Sequence, residues 1–156
     1  TDEEDTVIMV TRQGICLNAT KEDIPAQGRI ATGVRGIQLH EGDEVAFASQ
    51  INGEGEVIIA TTEGKFKRVI SSQIEPSRRY RKGSVIVGLR DGERVLSASY
   101  VTVPYMLAVV EKGNTVSELS SEDIMLSVQS ARAQKITRYA LDSVKAVIPM
   151  PYKKAD

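Results

Sequence analysis

The 156-residue sequence predicts an all-β fold made of three repeated four-stranded units. Three observations predict it. A unit of about fifty residues recurs, marked by Gly14, Gly64 and Gly113 and by Ile24, Ile74 and Ile124, each isoleucine following a polar turn. Short apolar runs alternate with turn residues, as strands do. Helical periodicity is absent; the segment from Glu118 to Gln134 comes nearest, but its counterparts in the other units read as loop and strand.

The repeat sets the boundaries at about 1–51, 52–102 and 103–156, within a single repeat domain. In the first unit, Thr6 to Thr11 is a short apolar run, and Gly14 supplies the positive φ of a hairpin turn. Ile15 to Ala19 returns, and a polar stretch containing Pro25 and Gly28 interrupts the chain. Val34 to Leu39 alternates in strand fashion, His40 to Asp43 turns, and Val45 to Ala48 closes the unit. The segment from Gly33 to Val45 lies over Gly83 to Val95. The third copy, Arg138 to Val144, keeps the pattern but loses both glycines. Four strands at this period are propeller-like, and each unit must stack on a neighbour to bury a core. Three such units are too few to close a ring, which takes about four to eight.

Composition narrows the function. A net charge of -1 excludes a uniformly basic protein but not a polarised one. No apolar run approaches the roughly 18 residues of a membrane helix. The acidic start, Thr1 to Asp5, is not a secretory leader and lacks Met, so the chain is expected to be a processed or excised piece. One Cys permits no internal disulfide and suits a reducing compartment.

Charge is concentrated from Lys65 to Arg90, where Lys65, Lys67, Arg68, Arg78, Arg79, Arg81, Lys82 and Arg90 face one acid, Glu75. Strand alternation puts Lys65 and Lys67 on one outer face and Phe66 on the other. Such a strip can neutralise phosphates and release counterions; charges on blade edges also serve simply to deter edge-to-edge pairing. Leu17 and Val116 stand where Lys67 does, so this charge is an addition to one copy.

Catalytic patterns are lacking. His40 sits in a polar turn, Cys16 reads as a buried strand residue, and one Cys with one His cannot make a Cys/His zinc site within a chain. Glu22-Asp23 and Glu122-Asp123 occupy matching turns, and Lys82-Gly83-Ser84 reverses the end of a phosphate-loop motif. No enzyme activity, cofactor or metal is expected.

Three recurring elements resemble the C-terminal repeat of the A subunit of bacterial type IIA topoisomerases, DNA gyrase and topoisomerase IV. They are Thr61 to Arg68, the basic loop Arg78-Arg79-Tyr80-Arg81-Lys82-Gly83, and Gly33 to Val45. The resemblance implies a β-pinwheel, in which neighbouring blades exchange strands and a full ring carries five or six. It implies nonspecific binding of duplex DNA on an outer rim, guiding DNA without cleaving it, in the cytoplasm at the nucleoid. The residues then assigned to DNA are Lys65, Lys67, Arg68, Arg78, Arg79, Arg81, Lys82, Arg29, Arg35, Arg132, Lys135 and Arg138. Gyrase members carry Gln-Arg-Arg-Gly-Gly-Lys-Gly in one blade; Gln27 to Gly33 keeps only its first Gln, one Arg and the last Gly. Remaining topoisomerase subunits or domains are implied partners. The incomplete ring suggests another reading: an assembly module, in which the partial ring pairs with a second copy, completing six blades, or with another subunit.

Overall fold

The computed structural model describes residues 6–20, 39, 41–51, 55–74, 76–77, 83–102, 106–127, 131–134 and 144–150. The fold is all-β. The first sheet contains β1 (Thr6–Thr11), β2 (Ile15–Thr20) and β3 (Val45–Ile51), in the order β3-β1-β2. The second contains β4 (Glu56–Thr61), β5 (Phe66–Ile70) and β8 (Val95–Val101), with β4 central. The third contains β9 (Met106–Glu111), β10 (Val116–Ser120) and β11 (Val144–Met150), with β9 central. All pairings among these long strands are antiparallel, and the register slips at Val10/Thr11, at Ala60/Thr61 and at Val144/Ala146, matching places in the three sheets.

Each sheet begins with a hairpin whose tip needs a left-handed residue. Gly14 (φ +83°) and Gly64 (φ +72°) fill this place, and in the third sheet Asn114 does so at φ +63°. The main-chain bond from Gly64 N to Thr61 O is repeated from Asn114 N to Glu111 O. The third turn is therefore centred on Asn114, not on Gly113. Asn tolerates this backbone region where most side chains do not. With the register corrected by one, Ser117 stands where Lys67 does, in place of Val116.

In the second and third units, residues expected to form the fourth strand pair with a neighbouring sheet. Two short strands of the second unit, β6 (Pro76–Ser77) and β7 (Ser84–Val85), pair with β2 of the first sheet, β6 parallel and β7 antiparallel. Asn18 meets Pro76 and Cys16 meets Ser84. Fifty residues on, Arg68 meets Leu126 and Phe66 meets Gln134, again parallel and antiparallel. So the second unit supplies strands to the first sheet, and the third unit supplies bridges to the second. The first unit's expected strand, Val34 to Leu39, lies outside the described residues but for Leu39. Gly83 makes the exchange possible: its φ is +72°, and a methyl group on it would overlap the Cys16 carbonyl oxygen. Pro76, without an N–H, sits on the last strand of its sheet, where no donor is needed.

The sheets stack, and their inner faces make the core. Ile8, Val10 and Cys16 of the first sheet pack on Val57, Ile59 and Val69 of the second. The other face of the second sheet, Ile58, Ala60 and Phe66, packs on Leu107, Val109 and Leu119 of the third. The middle sheet is thus buried on both faces. That explains why β4 reads as the unbroken apolar run Val57-Ile58-Ile59-Ala60 rather than alternating.

Candidate nucleic-acid interface

The strand expected to carry an outer cationic strip is β5, and its position in the stack redirects its charges. Alternation holds, since Phe66 and Lys67 point to opposite faces, but neither face meets solvent. Phe66 turns toward the third sheet and is buried, and Lys67 is only 1% exposed. Its Nζ donates to the carbonyl of Ile86 at 2.5 Å and to that of Ala131, in the third unit, at 2.6 Å. The assignment of Lys67 to an outer DNA-binding face is corrected accordingly: it is an internal tie between units. Burial lowers its pKa from 10.5 to about 8, with nearby Cys16 opposing the fall. The Cys16 thiol is pushed up to about 11 by burial, offset in part by a hydrogen bond with Ser84 and by Lys67.

The two flanking cations are also engaged. Lys65, its side chain 13% exposed, lies 3.2 Å from Glu63 Oε2 and 3.9 Å from Glu93 Oε2. The hydrogen bond from Lys65 is the main reason the Glu63 carboxyl is held below its usual range. Glu93 is itself buried, accepting from Thr61 Oγ1 at 2.8 Å and from Arg90 N at 3.0 Å. Arg68 pairs with Glu56 at 3.2 Å, its side chain 15% exposed, and its Nε is buried with no partner among the described residues. The cleft beside it, about 300 Å³, is also lined by Glu56 and Glu122, carboxylates that oppose an entering phosphate. Lys65, Lys67 and Arg68 do not form the contiguous exposed strip expected of them.

The remaining candidates fall on a different feature. Arg78, Arg79, Arg81 and Lys82 lie outside the described residues, but both anchors of their segment are placed. It leaves from Ser77 on β6 and returns at Gly83 and Ser84 on β7, both beside β2 at the edge of the first sheet. The repeat relates Lys82 to Arg132, which is described and exposed. Arg29 occupies the place of Arg79 in the first unit; Arg29, Arg35, Lys135 and Arg138 lie outside the described residues. Of these remaining candidates Arg132 is the one among the described residues, and unlike Lys65, Lys67 and Arg68 it is exposed.

Sequence reasoning also missed cross-unit contacts. Arg12 Nη1 donates to the carbonyls of Val95 at 3.0 Å and Leu96 at 2.6 Å. Asn18 Nδ2 donates to Ile74 O at 2.9 Å. Nothing local in the sequence distinguishes these side chains from exposed turn and strand residues.

The model of the family described as "DNA gyrase C-terminal domain, beta-propeller" matches residues 5–52 and 55–102. The chain belongs to this family. Among curated relatives, the A subunit of DNA gyrase from Klebsiella oxytoca is 30% identical over 124 residues, covering 78% of this chain and 14% of that protein. Its counterpart from Kosmotoga olearia is 27% identical over 159 residues, covering 100% of this chain and 20% of that protein. The chain therefore spans at most a fifth of the length of these two relatives. Two solved structures share the fold. The C-terminal domain of DNA topoisomerase IV superposes with a TM-score of 0.84 at 17% identity, covering 96% of this chain and 48% of that one. The DNA gyrase A C-terminal domain gives 0.77 at 18% identity, covering 96% and 50%. The gyrase C-terminal family is thus the frame for this chain, and it supports the expectation that the chain is not itself an enzyme.

Proposed function

We propose that this gyrase C-terminal-type chain binds duplex DNA without sequence preference and bends or guides it along the edge where units exchange strands. The observation that supports the reading is the position of the two anchors of the exchange segment, β6 and β7, beside β2. Four cations, Arg78, Arg79, Arg81 and Lys82, lie between two anchors on the sheet edge, and the repeat-related Arg132 is exposed. Main-chain exchange fixes where the segment starts and ends, on the edge of the first sheet. Contacts of this kind neutralise phosphates and position the duplex; sequence preference would enter only through the ease of bending. The chain would act in the cytoplasm, beside the remaining domains and subunits of a topoisomerase.

Charge reversal at Arg78, Arg79, Arg81 and Lys82 tests this, with binding to a fluorescent duplex followed by anisotropy across a salt series. Loss of four phosphate contacts should weaken binding at least tenfold at low salt and flatten the slope of log K against log salt by about 3 to 4. Lys67→Met, which removes a buried ammonium and its two bonds to the Ile86 and Ala131 carbonyls but no exposed cation, should leave the affinity unchanged. Unaltered low-salt affinity in the four-fold variant would refute the reading.

A further inference from the structure

The cleft beside Arg68 lies where the second unit meets the third. Glu56, Arg68, Ile70 and Val101 of the second unit line it together with Ser121 and Glu122 of the third, around a space of about 300 Å³. Its charges are additions to the repeat. Fifty residues earlier, Thr6, Asn18 and Ser72 stand where Glu56, Arg68 and Glu122 do. At that first junction the tie is neutral: Asn18 Nδ2 donates to Ile74 O of the next unit at 2.9 Å. At the second junction Arg68 turns instead to Glu56 of its own sheet. A single nitrogen, Nη1, meets both carboxylate oxygens, at 3.4 and 3.2 Å. This is not the two-nitrogen contact that a guanidinium can make with a carboxylate, and Nε is buried with no partner among the described residues. A buried donor costs stability unless an acceptor reaches it. Glu122 is exposed and meets no cation among the described residues. Both walls are held from behind: Ser127 N donates to Arg68 O at 3.0 Å, and Glu122 N to Ser120 Oγ at 3.2 Å.

We propose that this cleft binds an α-ammonium group together with the carbonyl next to it, the head of an amino acid or of the first residue of a polypeptide. The ammonium pairs with Glu122, the carbonyl oxygen accepts from Arg68 Nε, and an apolar side chain lies against Ile70 and Val101. Two carboxylates among the lining residues outnumber one guanidinium, so the cleft favours a positively charged group and opposes a phosphate. A plain cation would leave Arg68 Nε unpartnered, and a plain anion would meet Glu56 and Glu122; the α-amino carbonyl head suits both. The space, at the lower end of the range for ligand pockets, fits a group of this size. A ligand seated there touches two units at once, and ties the second to the third as Asn18 ties the first to the second.

The probe is leucinamide, titrated into the isotope-labelled chain at about pH 7, where most of its amine is protonated, and followed by amide chemical shifts. Saturable shifts are expected at Arg68, Ser121 and Glu122, with a Kd on the order of 1 mM for so small a ligand. N-acetyl-leucinamide, which lacks the ammonium, and isopentylamine, which lacks the carbonyl, should each bind about tenfold more weakly. Glu122→Gln, at an exposed site that folding does not depend on, should weaken leucinamide about tenfold and leave the rest of the spectrum in place. Arg68→Lys, which keeps a cation beside Glu56 but removes Nε, should weaken leucinamide and leave isopentylamine unchanged. Free leucine and the peptide Leu-Ala-Ala separate the two sources of the head group. Tighter binding of leucine supports an amino acid, and binding of the peptide at least as tight as leucinamide supports a polypeptide terminus. The proposal is overturned if leucinamide produces no saturable shifts at the cleft. Equal affinity for N-acetyl-leucinamide, or full affinity in Glu122→Gln, overturns it as well.

Discussion

Lys67 makes the stability of this protein depend on alkaline pH in a calculable way. Its ammonium is 1% exposed, and burial lowers its pKa from 10.5 to about 8. The folded state therefore binds the proton less tightly than the unfolded chain, so stability is lower below pH 8 and rises as the pH climbs from about 8 toward 10.5. The full gain is capped at about 3 kcal/mol, with a slope of no more than about 1.4 kcal/mol per pH unit. Cys16 acts in the opposite sense. Its pKa is raised from 9.0 to about 11, so the folded state holds a proton that the unfolded chain has released, and stability falls as the pH rises from about 9 to 11. Over the shared window the two effects nearly cancel, and the unmodified chain should gain only about 1 kcal/mol between pH 8 and 10. Cys16→Ala should unmask a rise of about 2 kcal/mol over that interval, and adding Lys67→Met should remove it. Urea denaturation followed by far-ultraviolet circular dichroism at half-unit steps of pH measures this. If Cys16→Ala and the double variant share one pH profile, the account of Lys67 as a buried, desolvated ammonium is refuted.

Two further outcomes follow from the backbone. Gly83→Ala puts a methyl group against the Cys16 carbonyl at φ +72°, and should lower stability by more than about 1 kcal/mol in the same assay, with faster amide exchange along β2. Asn114→Gly should be neutral within about 0.5 kcal/mol, whereas Asn114→Val should cost about 1–2 kcal/mol, because φ +63° at the third turn excludes β-branched residues. Equal midpoints for these last two would show that the turn is not centred on Asn114.

How much was legible depended on the range of the interactions involved. The turn at Gly64 and the strand that follows it are local matters, and both were readable from glycine and apolar spacing. The Gly113 assignment failed because the glycine signal is not unique: Asn114, one residue on, is the one that takes the left-handed conformation. The candidate interface was legible only in part. The cation-rich segment 78–82 stood out by composition, and the sheet edge from which it starts could be known only from the exchanged strands. Lys67 was misjudged because alternation says which residues share a face and not whether that face meets water.

The sequence by itself determined the all-β class, the fifty-residue period and the concentration of charge in the second unit, since each is written in residues close together along the chain. The tertiary structure decided which charges are available. Stacking buries both faces of the middle sheet, so Lys67 is drawn to the carbonyls of Ile86 and Ala131, and Arg68 to Glu56. Arg132, at the edge where strands are exchanged, stays exposed. Burying an ammonium requires donors matched to acceptors, and those acceptors come from residues 19 and 64 positions away along the chain, which no local pattern brings together.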